Sequence, residues 1–517
     1  MSRRVKWLGA AFRVPVAAAA ALALGACSLG RPPSAAPALP PAQWTAPFPP
    51  AGTAPALPHD GSLPALTEWW RQWGDPVLAE LIEAAEAASP TLASATARIG
   101  EARAGSVAAG AALLPNLNGT ASATRSNSSG SGAGGGSADP AAAGSASLAP
   151  ATTLQAGLQS SWEIDLFGRL RAGRDAASLR LAGADAKWHQ ARVSVAADTA
   201  NLYFSDRACT QQLAVATSDA GSRAETARLT DLSMRAGFTA PADAALARAS
   251  AADASGRLTQ QRTQCAVSRT ALVALTGLDA RALEQKMAPA PVERAQPAIN
   301  SIASMPAAML AQRPDVYAAE LEVAAASADV GQAEANRYPR LSLTGSIGRL
   351  QIRTQGVRQS LDSWSIGPVA LTLPIFDGGT LKANAEAARA RYDEAAALYR
   401  ANVRQAVREV EEALFNLDGT AARSGDADTA VQNYQASFNA TQARYDSGLA
   451  SLFELEDARR TLFAAQTARV ALQRDRAEAW VALYRAMGGG WSRSGTDASA
   501  DGPRADITPT SSIATSP

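Results

Sequence analysis

The chain has 517 residues, 48 basic, 47 acidic and 2 histidine, with 47% apolar residues but only 5% aromatic. Charges that cancel this closely leave no basic face for nucleic acid. Two histidines, His59 and His189, leave no histidine-based catalytic or metal site to expect. Alanine in place of aromatics favours long helices packed side by side over a thick globular core.

Arg3, Arg4 and Lys6 precede a short apolar run, Val14 to Leu24, too short to span a bilayer, so 1–26 is expected to be a signal peptide. The run ends in Leu24-Gly25-Ala26-Cys27, which resembles a bacterial lipobox with Cys27 as the acylated first residue of the mature chain. Ser28 after it implies delivery to the outer membrane. A plain secretory signal with a coincidental cysteine is the other reading. Residues 27–66, rich in proline and alanine, read as an extended tether, and 492–517 as a disordered tail. No later stretch reaches the length of a membrane helix, so any crossing must use strands.

Between tether and tail the sequence repeats itself. Ser89-Pro90 and Arg313-Pro314 open helical patterns 224 residues apart, and Leu114-Pro115 and Tyr338-Pro339 close them at the same offset. Gly168, Gly237 and Gly277 recur as Gly379, Gly448 and Gly488, each 211 residues later. The first copy carries the extra residues as a Gly/Ser/Ala loop, Ser126 to Pro150. The expected units are a first repeat at 67–277, a linker at 278–303 and a second repeat at 304–491.

Each repeat has two strand candidates: about 116–125 and 153–166, then 340–350 and 363–376. Leu154, Ala156, Leu158, Ser160, Trp162, Ile164 and Leu166 fall at every second position, as do Leu341, Leu343, Gly345 and Ile347. Period-two alternation over about ten residues is the signature of a membrane strand, though a soluble half-buried hairpin shares it. Pro368 fits only at a bulge or an edge. Four strands cannot close a barrel, and an open edge in lipid leaves backbone groups bare. If the strands cross a membrane, several chains must share one barrel.

Helical hairpins are expected at 168–276 and 379–487, each with a first arm long enough to reach ~100 Å. Gly419 and Gly425 locally suggest a break at 418–428, but the 211 offset continues through it, so a helix, kinked or straight, is expected there. Gly237 and Gly448 suit the left-handed position that ends a helix. Pro241 then restarts the chain in copy one, and Ser451-Leu452-Phe453-Glu454 is a capping-box pattern in copy two. Cys209 and Cys265 lie equally far, 28 residues, on either side of Gly237, which puts them at one height on facing helices. An oxidising compartment favours a disulfide there; two free thiols is the alternative.

From about Glu68 to Trp491 the chain resembles the outer membrane efflux protein family, in its TolC-like, lipoprotein NodT-type branch. The resemblance rests on Trp69-Trp70-Arg71-Gln72-Trp73-Gly74-Asp75-Pro76, on Trp162-Glu163-Ile164-Asp165-Leu166-Phe167-Gly168-Arg169-Leu170-Arg171, on Arg313-Pro314-Asp315-Val316, on Pro339-Arg340-Leu341-Ser342-Leu343-Thr344-Gly345 and on Pro374-Ile375-Phe376-Asp377-Gly378-Gly379. It implies a mainly α protein with a small transmembrane β part. Coiled-coil helices would form an α-barrel, and four strands per chain a twelve-stranded barrel in a homotrimer. It also implies a periplasmic adaptor protein and an inner-membrane RND-type pump as partners, outer-membrane lipid around the strands, and a duct closed at its periplasmic tip.

In the family, tip positions include a tyrosine, an arginine and acids. Tyr445, Glu454 and Asp457 match on the second hairpin and Asp243 on the first, while Ala450 stands in place of the arginine, so an Asp–Arg latch is not expected. Repeated Glu454 and Asp457 around a narrow throat would favour cations; the competing reading has Glu454 capping its helix and Asp457 solvated. The reading is therefore a passive efflux duct, not an enzyme, with no cofactor and no metal. Lys286 and the glycines at 488–490 make no phosphate-binding pattern. A duct for a type I protein secretion system and a coiled-coil lipoprotein that only bridges envelope layers are the alternatives.

Overall fold

A computed structural model describes residues 30–38, 45–46, 70, 75–126, 150–288, 313–354 and 356–491. The signal peptide 1–26, Cys27, His59, most of the Gly/Ser/Ala loop, the linker beyond 288 and the tail 492–517 lie outside the described residues. Asp75 and Ser89 each precede a proline and cap a helix: Asp75 Oδ1 accepts from Val77 N at 3.0 Å and Ser89 Oγ from Leu92 N at 3.3 Å. These open α1 (Pro76–Ala88) and α2 (Pro90–Ala111). There follow β1 (Asn116–Ser126), β2 (Ala151–Ile164), α3 (Arg169–Arg235), α4 (Pro241–Thr276) and a short α5 (Ala280–Met287) within the linker. The second repeat gives α6 (Pro314–Ala335), β3 (Arg340–Thr354), β4 (Val357–Thr372), α7 (Thr380–Asp446) and α8 (Leu452–Ala486).

The two long helices, α3 and α7, have 67 residues each, which is ~100 Å of helix. Both start on a left-handed glycine, Gly168 at φ +76° and Gly379 at φ +90°, a conformation closed to most side chains. A preceding carboxylate fills each bare helix end. Asp165 accepts from Leu170 N and Arg171 N, and Asp377 from Gly379 N and Leu381 N. Those two N–H donors hold the Asp377 carboxyl below the usual carboxylate range. Through 418–428 α7 runs unbroken. A glycine in an exposed helix costs only about 1 kcal/mol, which packing along α8 outweighs.

The strands form one antiparallel sheet in the order β1-β2-β3-β4. Ile164, Leu341 and Leu371 lie level, as do Trp162, Leu343 and Val369, then Leu158, Ile347 and Trp364. One face is thus an apolar band that ends at the Arg349–Asp362 ion pair, level with Ala156. Ile164 to Ala156 is ~27 Å along a strand, or ~21 Å of height at the usual barrel tilt, close to the lipid band of an outer-membrane barrel. The opposite face carries Asn118, Gln159, Ser346 and Ser365 at one level.

Strand limits differ from the pattern at both ends of β4, at the end of β3 and at the end of β2. β3 continues to Thr354 and β4 begins at Val357, because hydrogen bonding persists through the polar outer end where apolar alternation has stopped. β2 ends at Ile164 rather than 166, since Asp165 turns away to cap α3. β4 ends at Thr372, opposite Arg340, the first residue after Pro339. Pro368 sits on the outer strand of the sheet beside an irregularity in which Leu343 pairs with Val369 but Gly345 with Ile366. The extra β4 residue keeps Ile366 and Val369 on one face; without it every apolar residue from Val369 on would turn over.

Under the sheet, α2, α3, α6 and α7 pack as a row; further from it α4, α3, α8 and α7 do. Near the middle, Leu78, Leu81, Tyr203, Leu272, Leu283, Val410, Trp480 and Leu483 make the main core. Among the described residues nothing covers the row's two ends, α2 and α7 under the sheet. The inner helix α6 buries residues along its whole length, from Pro314 to Ala335, whereas its repeat counterpart α2 buries only Leu92.

The tether is not wholly free. Ser327 Oγ donates to Pro32 O at 2.6 Å, Ala36 is buried among Val323, Ala326, Ala395 and Ala396, and Glu411 accepts from the amides of Thr45 and Ala46. Residues 31–38 and 45–46 therefore lie along α6 and α7, with the Pro32 carbonyl and the amides of Thr45 and Ala46 met by side chains where an isolated Pro/Ala segment would need water.

Arg313 explains its own motif. It is 5% exposed and donates to Asp315, to Glu409 Oε2 at 2.7 Å and to the Ala486 carbonyl at 3.0 Å, tying α6, α7 and the end of α8. Burial would raise the Asp315 carboxyl, but the hydrogen bonds and charge of Arg313 more than offset it and hold it below the usual range. That contribution to stability is complete above the ordinary carboxyl range and is lost as pH falls through the depressed value. Arg313→Lys keeps the charge but cannot fork between acceptors. It is expected to cost about 2 kcal/mol, read as a lower melting temperature of the helical circular-dichroism signal.

Candidate functional site: the hairpin tips and the ion network above them

The two hairpins turn identically. At Gly237, φ +83°, Phe238 N bonds to Ser233 O at 2.9 Å and Gly237 N to Met234 O at 3.0 Å. At Gly448, φ +74°, Leu449 N bonds to Arg444 O at 2.7 Å and Gly448 N to Tyr445 O at 3.0 Å. Each is a Schellman closure that needs a left-handed residue. The turns present Phe238, Leu449 and, in the first turn of α8, Phe453 as exposed apolar side chains.

Of the residues singled out from sequence, Tyr445 reaches the first hairpin. Its hydroxyl lies 3.4 Å from Thr230 Oγ1, and its ring packs against the cluster of Ala227, Ala247 and Leu452. Ser451 Oγ caps α8 by accepting from Glu454 N at 3.2 Å. The Glu454 carboxylate does not close a capping box; it turns to Arg444, with Oε2 3.8 Å from Nη2. Arg444 also donates to the Leu449 carbonyl at 3.0 Å, so it steadies the turn. Asp457 pairs with Arg460 at 2.5 Å, and Asp243 is exposed in the first turn of α4. The four are therefore not one cluster: Tyr445 bridges the hairpins, and the three acids are exposed at the tip.

What bridges the hairpins electrostatically lies about two to four turns above the tip glycines and was not found from sequence. Arg223 on α3, 8% exposed, bonds Asp219 at 2.8 Å on its own helix, Ser250 on α4 at 2.6 Å, and Glu456 on α8. Glu456 also accepts from Ser250 and from Arg459, and Arg459 donates to Gln442 on α7 at 3.2 Å. All four helices thus meet in one buried cluster. Burial pulls the Arg459 guanidinium below its usual value, Glu456 opposing and Arg223 adding to the shift. Symmetric placement about Gly237, the argument used for the cysteines, would have set Arg223 beside Ser250; no local pattern names Glu456 as the partner across hairpins.

Further up, Cys209 and Cys265 are joined as a disulfide between α3 and α4, with Cα atoms 5.5 Å apart. Among the described residues no helix is long and apolar enough to cross a membrane, and no group of three metal-binding side chains comes together. His189 meets Trp188 edge-on at 5.0 Å, a packing role.

A sheet with one lipid-suited and one polar face, continued by helices of ~100 Å, defines part of a membrane channel that extends into an aqueous space. Residues 81–278 and 305–489 match the outer membrane efflux protein family, and the chain belongs to it. It is 32% identical to the pyoverdine export outer membrane protein OpmQ of Pseudomonas putida over 91% of this chain and 96% of that protein. It is 31% identical to the toluene efflux pump outer membrane protein TtgI of the same species, over 92% and 97%. Among solved structures the outer-membrane channel OprN is similar with a TM-score of 0.72 at 27% identity, covering 89% of this chain and 100% of OprN. The protein is thus an outer-membrane efflux channel with helical-barrel and β-barrel parts, the outer-membrane component of a pump system.

Proposed function

We propose that three copies close into one duct, twelve strands in the outer membrane above a helical barrel in the periplasm, which passively conducts small molecules handed over by an inner-membrane RND-type pump through a periplasmic adaptor. The observation that carries this is the unlikeness of the two bare ends. One end offers β1 and α2, the other β4 and α7, so like cannot pair with like and copies must join head to tail into a ring. The strand edges make closure obligatory in lipid. The chain carries out no reaction; energy comes from the pump. Native mass measurement in mild detergent should give a trimer, and planar-bilayer recording a conducting pore; a monodisperse monomer without current would end the reading.

Lipidation at Cys27 fits the path of the N-terminal segment. Arg31 packs on Gly331, near the sheet end of α6, and residues 45–46 lie lower, at Glu411. Four extended residues span ~13 Å, enough to bring Cys27 from Arg31 to the membrane edge of the sheet. At the other end, the exposed Phe238 and Leu449 suit an apolar adaptor contact, and three copies each of Glu454 and Asp457 would ring the throat. Glu454→Gln with Asp457→Asn is expected to lower cation selectivity several-fold in single-channel recordings. Unchanged selectivity would assign both acids to their arginine partners alone.

A further inference from the structure

Between α2 and α6, with α3 as its floor, the helix row holds a groove of about 810 Å³, a size that takes a drug-sized molecule. We infer that this groove is a binding site on the duct wall for small organic anions, a carboxylate or sulfonate held by Arg98 and Lys187 with its apolar part along Leu179, Ala184 and Ala191; its place on the wall rests on the ring reading. The floor is low because small residues meet there. A Cβ on Gly183 of α3 would stand 4.0 Å from the Ala318 carbonyl oxygen and from Leu321 Cβ of α6. The walls are basic. Arg98 shares a stripe of α2 with Thr91 and Ser94, and Lys187 a stripe of α3 with Arg180 and Ser194. Arg180 is spoken for, since it pairs with Asp329 and Glu322 of α6. Arg98 and Lys187 are exposed, and among the described residues neither makes a hydrogen bond or an ion pair. Glu322 is the one acid among the described residues that line the groove, so the two cations meet no counter-charge there. Two unpaired cations beside an alanine and leucine surface fit an anion that carries an apolar body.

Helical periodicity tells which face of the row carries the groove. On α6, Ser327 and Gly331 hold the N-terminal segment through Pro32 and Arg31. Each is two residues from Asp329, hence about 160° round the helix from the side that meets Arg180. On α3, Arg192 pairs with Glu86 of α1 and lies five residues from Lys187, hence about 140° round. The N-terminal segment and α1 therefore cover one face of the row and the groove opens on the other. A bore packed with those segments from three copies could not conduct, so their face is the outside and the groove looks into the duct. Lys187 stands ~75 Å along α3 from Gly237, far from the acids of the tip. Fixed positive charge at that height favours anionic cargo in the duct, and cations open to water hold it only briefly, as passage requires.

Planar-bilayer recording of the full-length channel, with naphthalene-1-sulfonate added from the strand side, tests the site. The probe should interrupt the current, and the interruptions should be roughly tenfold shorter in Arg98→Gln with Lys187→Gln. Arg98→Lys alone keeps the charge and should leave their length nearly unchanged. Blocks by the cation naphthylmethylammonium should not shorten in the double variant. Both side chains are exposed, so that variant should keep its trimer mass and helical signal. Sulfonate interruptions of equal length in the two channels would refute the site. Calorimetric titration in detergent should find one sulfonate per chain, lost in the double variant. Such binding without any block in a conducting trimer would put the groove outside the duct, overturning the inference and leaving the ring standing. A monomer without current would remove the ring and the inference with it.

Discussion

Replacing Glu456 with alanine is expected to open the periplasmic end. The substitution leaves Arg223 and Arg459, 8% and 5% exposed, facing each other without the carboxylate that both bind. Removing one partner of a buried ion network costs about 3–5 kcal/mol. The cost falls on the arrangement in which the first hairpin lies against the second, because Glu456 is on α8 while Arg223 and Ser250 are on α3 and α4. Hairpins drawn apart let water reach the two arginines and relieve the penalty. A 3 kcal/mol bias shifts a two-state balance by about 100-fold. Single-channel recordings should therefore show a pore that dwells open far longer than the unaltered channel. Arg223→Ala added to Glu456→Ala removes one of the two charges that Glu456 had bridged and should return part of the closed time. Closed-state dwell times unchanged in an intact trimer would assign the network to stability alone.

Alternation and repetition were legible because each follows from an unavoidable period. Leu154 to Ile164 alternates since lipid and duct lie on opposite faces of β2, and Gly168 and Gly379 recur because each long helix starts on a left-handed residue. The strand ends were less legible. Hydrogen bonding carries β3 on to Thr354 although Arg349, Gln351 and Arg353 no longer look apolar, and hydropathy cannot report a backbone bond. Glu454 read as the second half of a capping box, but the box competes with Arg444, whose charge draws the carboxylate away. The docked residues 31–38 had no periodic signal because alanine against alanine buries little and asks only for closeness, as at Ala36 and Ala326. Partners across hairpins, such as Arg223 and Glu456, are 233 positions apart and share no pattern.

The disulfide makes the first hairpin the stiffer of the two. Cys209 and Cys265 enclose a 56-residue separation that includes the first tip, and in the chain-entropy picture such a closure is worth about 4 kcal/mol. Their counterparts in the second hairpin, by the same 211 offset, are Thr420 and Arg476, which cannot bond covalently. The first hairpin is therefore stapled about two thirds of the way along α4 from the tip, and the second is held by packing, hydrogen bonds and exposed ion pairs such as Arg444–Glu454 and Arg469–Asp428. Opening should then come from α7 and α8 shifting against a fixed α3–α4 pair, with the Glu456 contacts breaking and the disulfide undisturbed. Two results are expected from Cys209→Ser with Cys265→Ser. The midpoint of unfolding in denaturant should fall by an amount equivalent to about 4 kcal/mol. The long open dwells of Glu456→Ala should persist on this background, because the moving hairpin never carried the staple. If removing the staple alone reproduced those dwells, the first hairpin would be the mobile one, and Arg223 rather than Glu456 would sit on the element that swings.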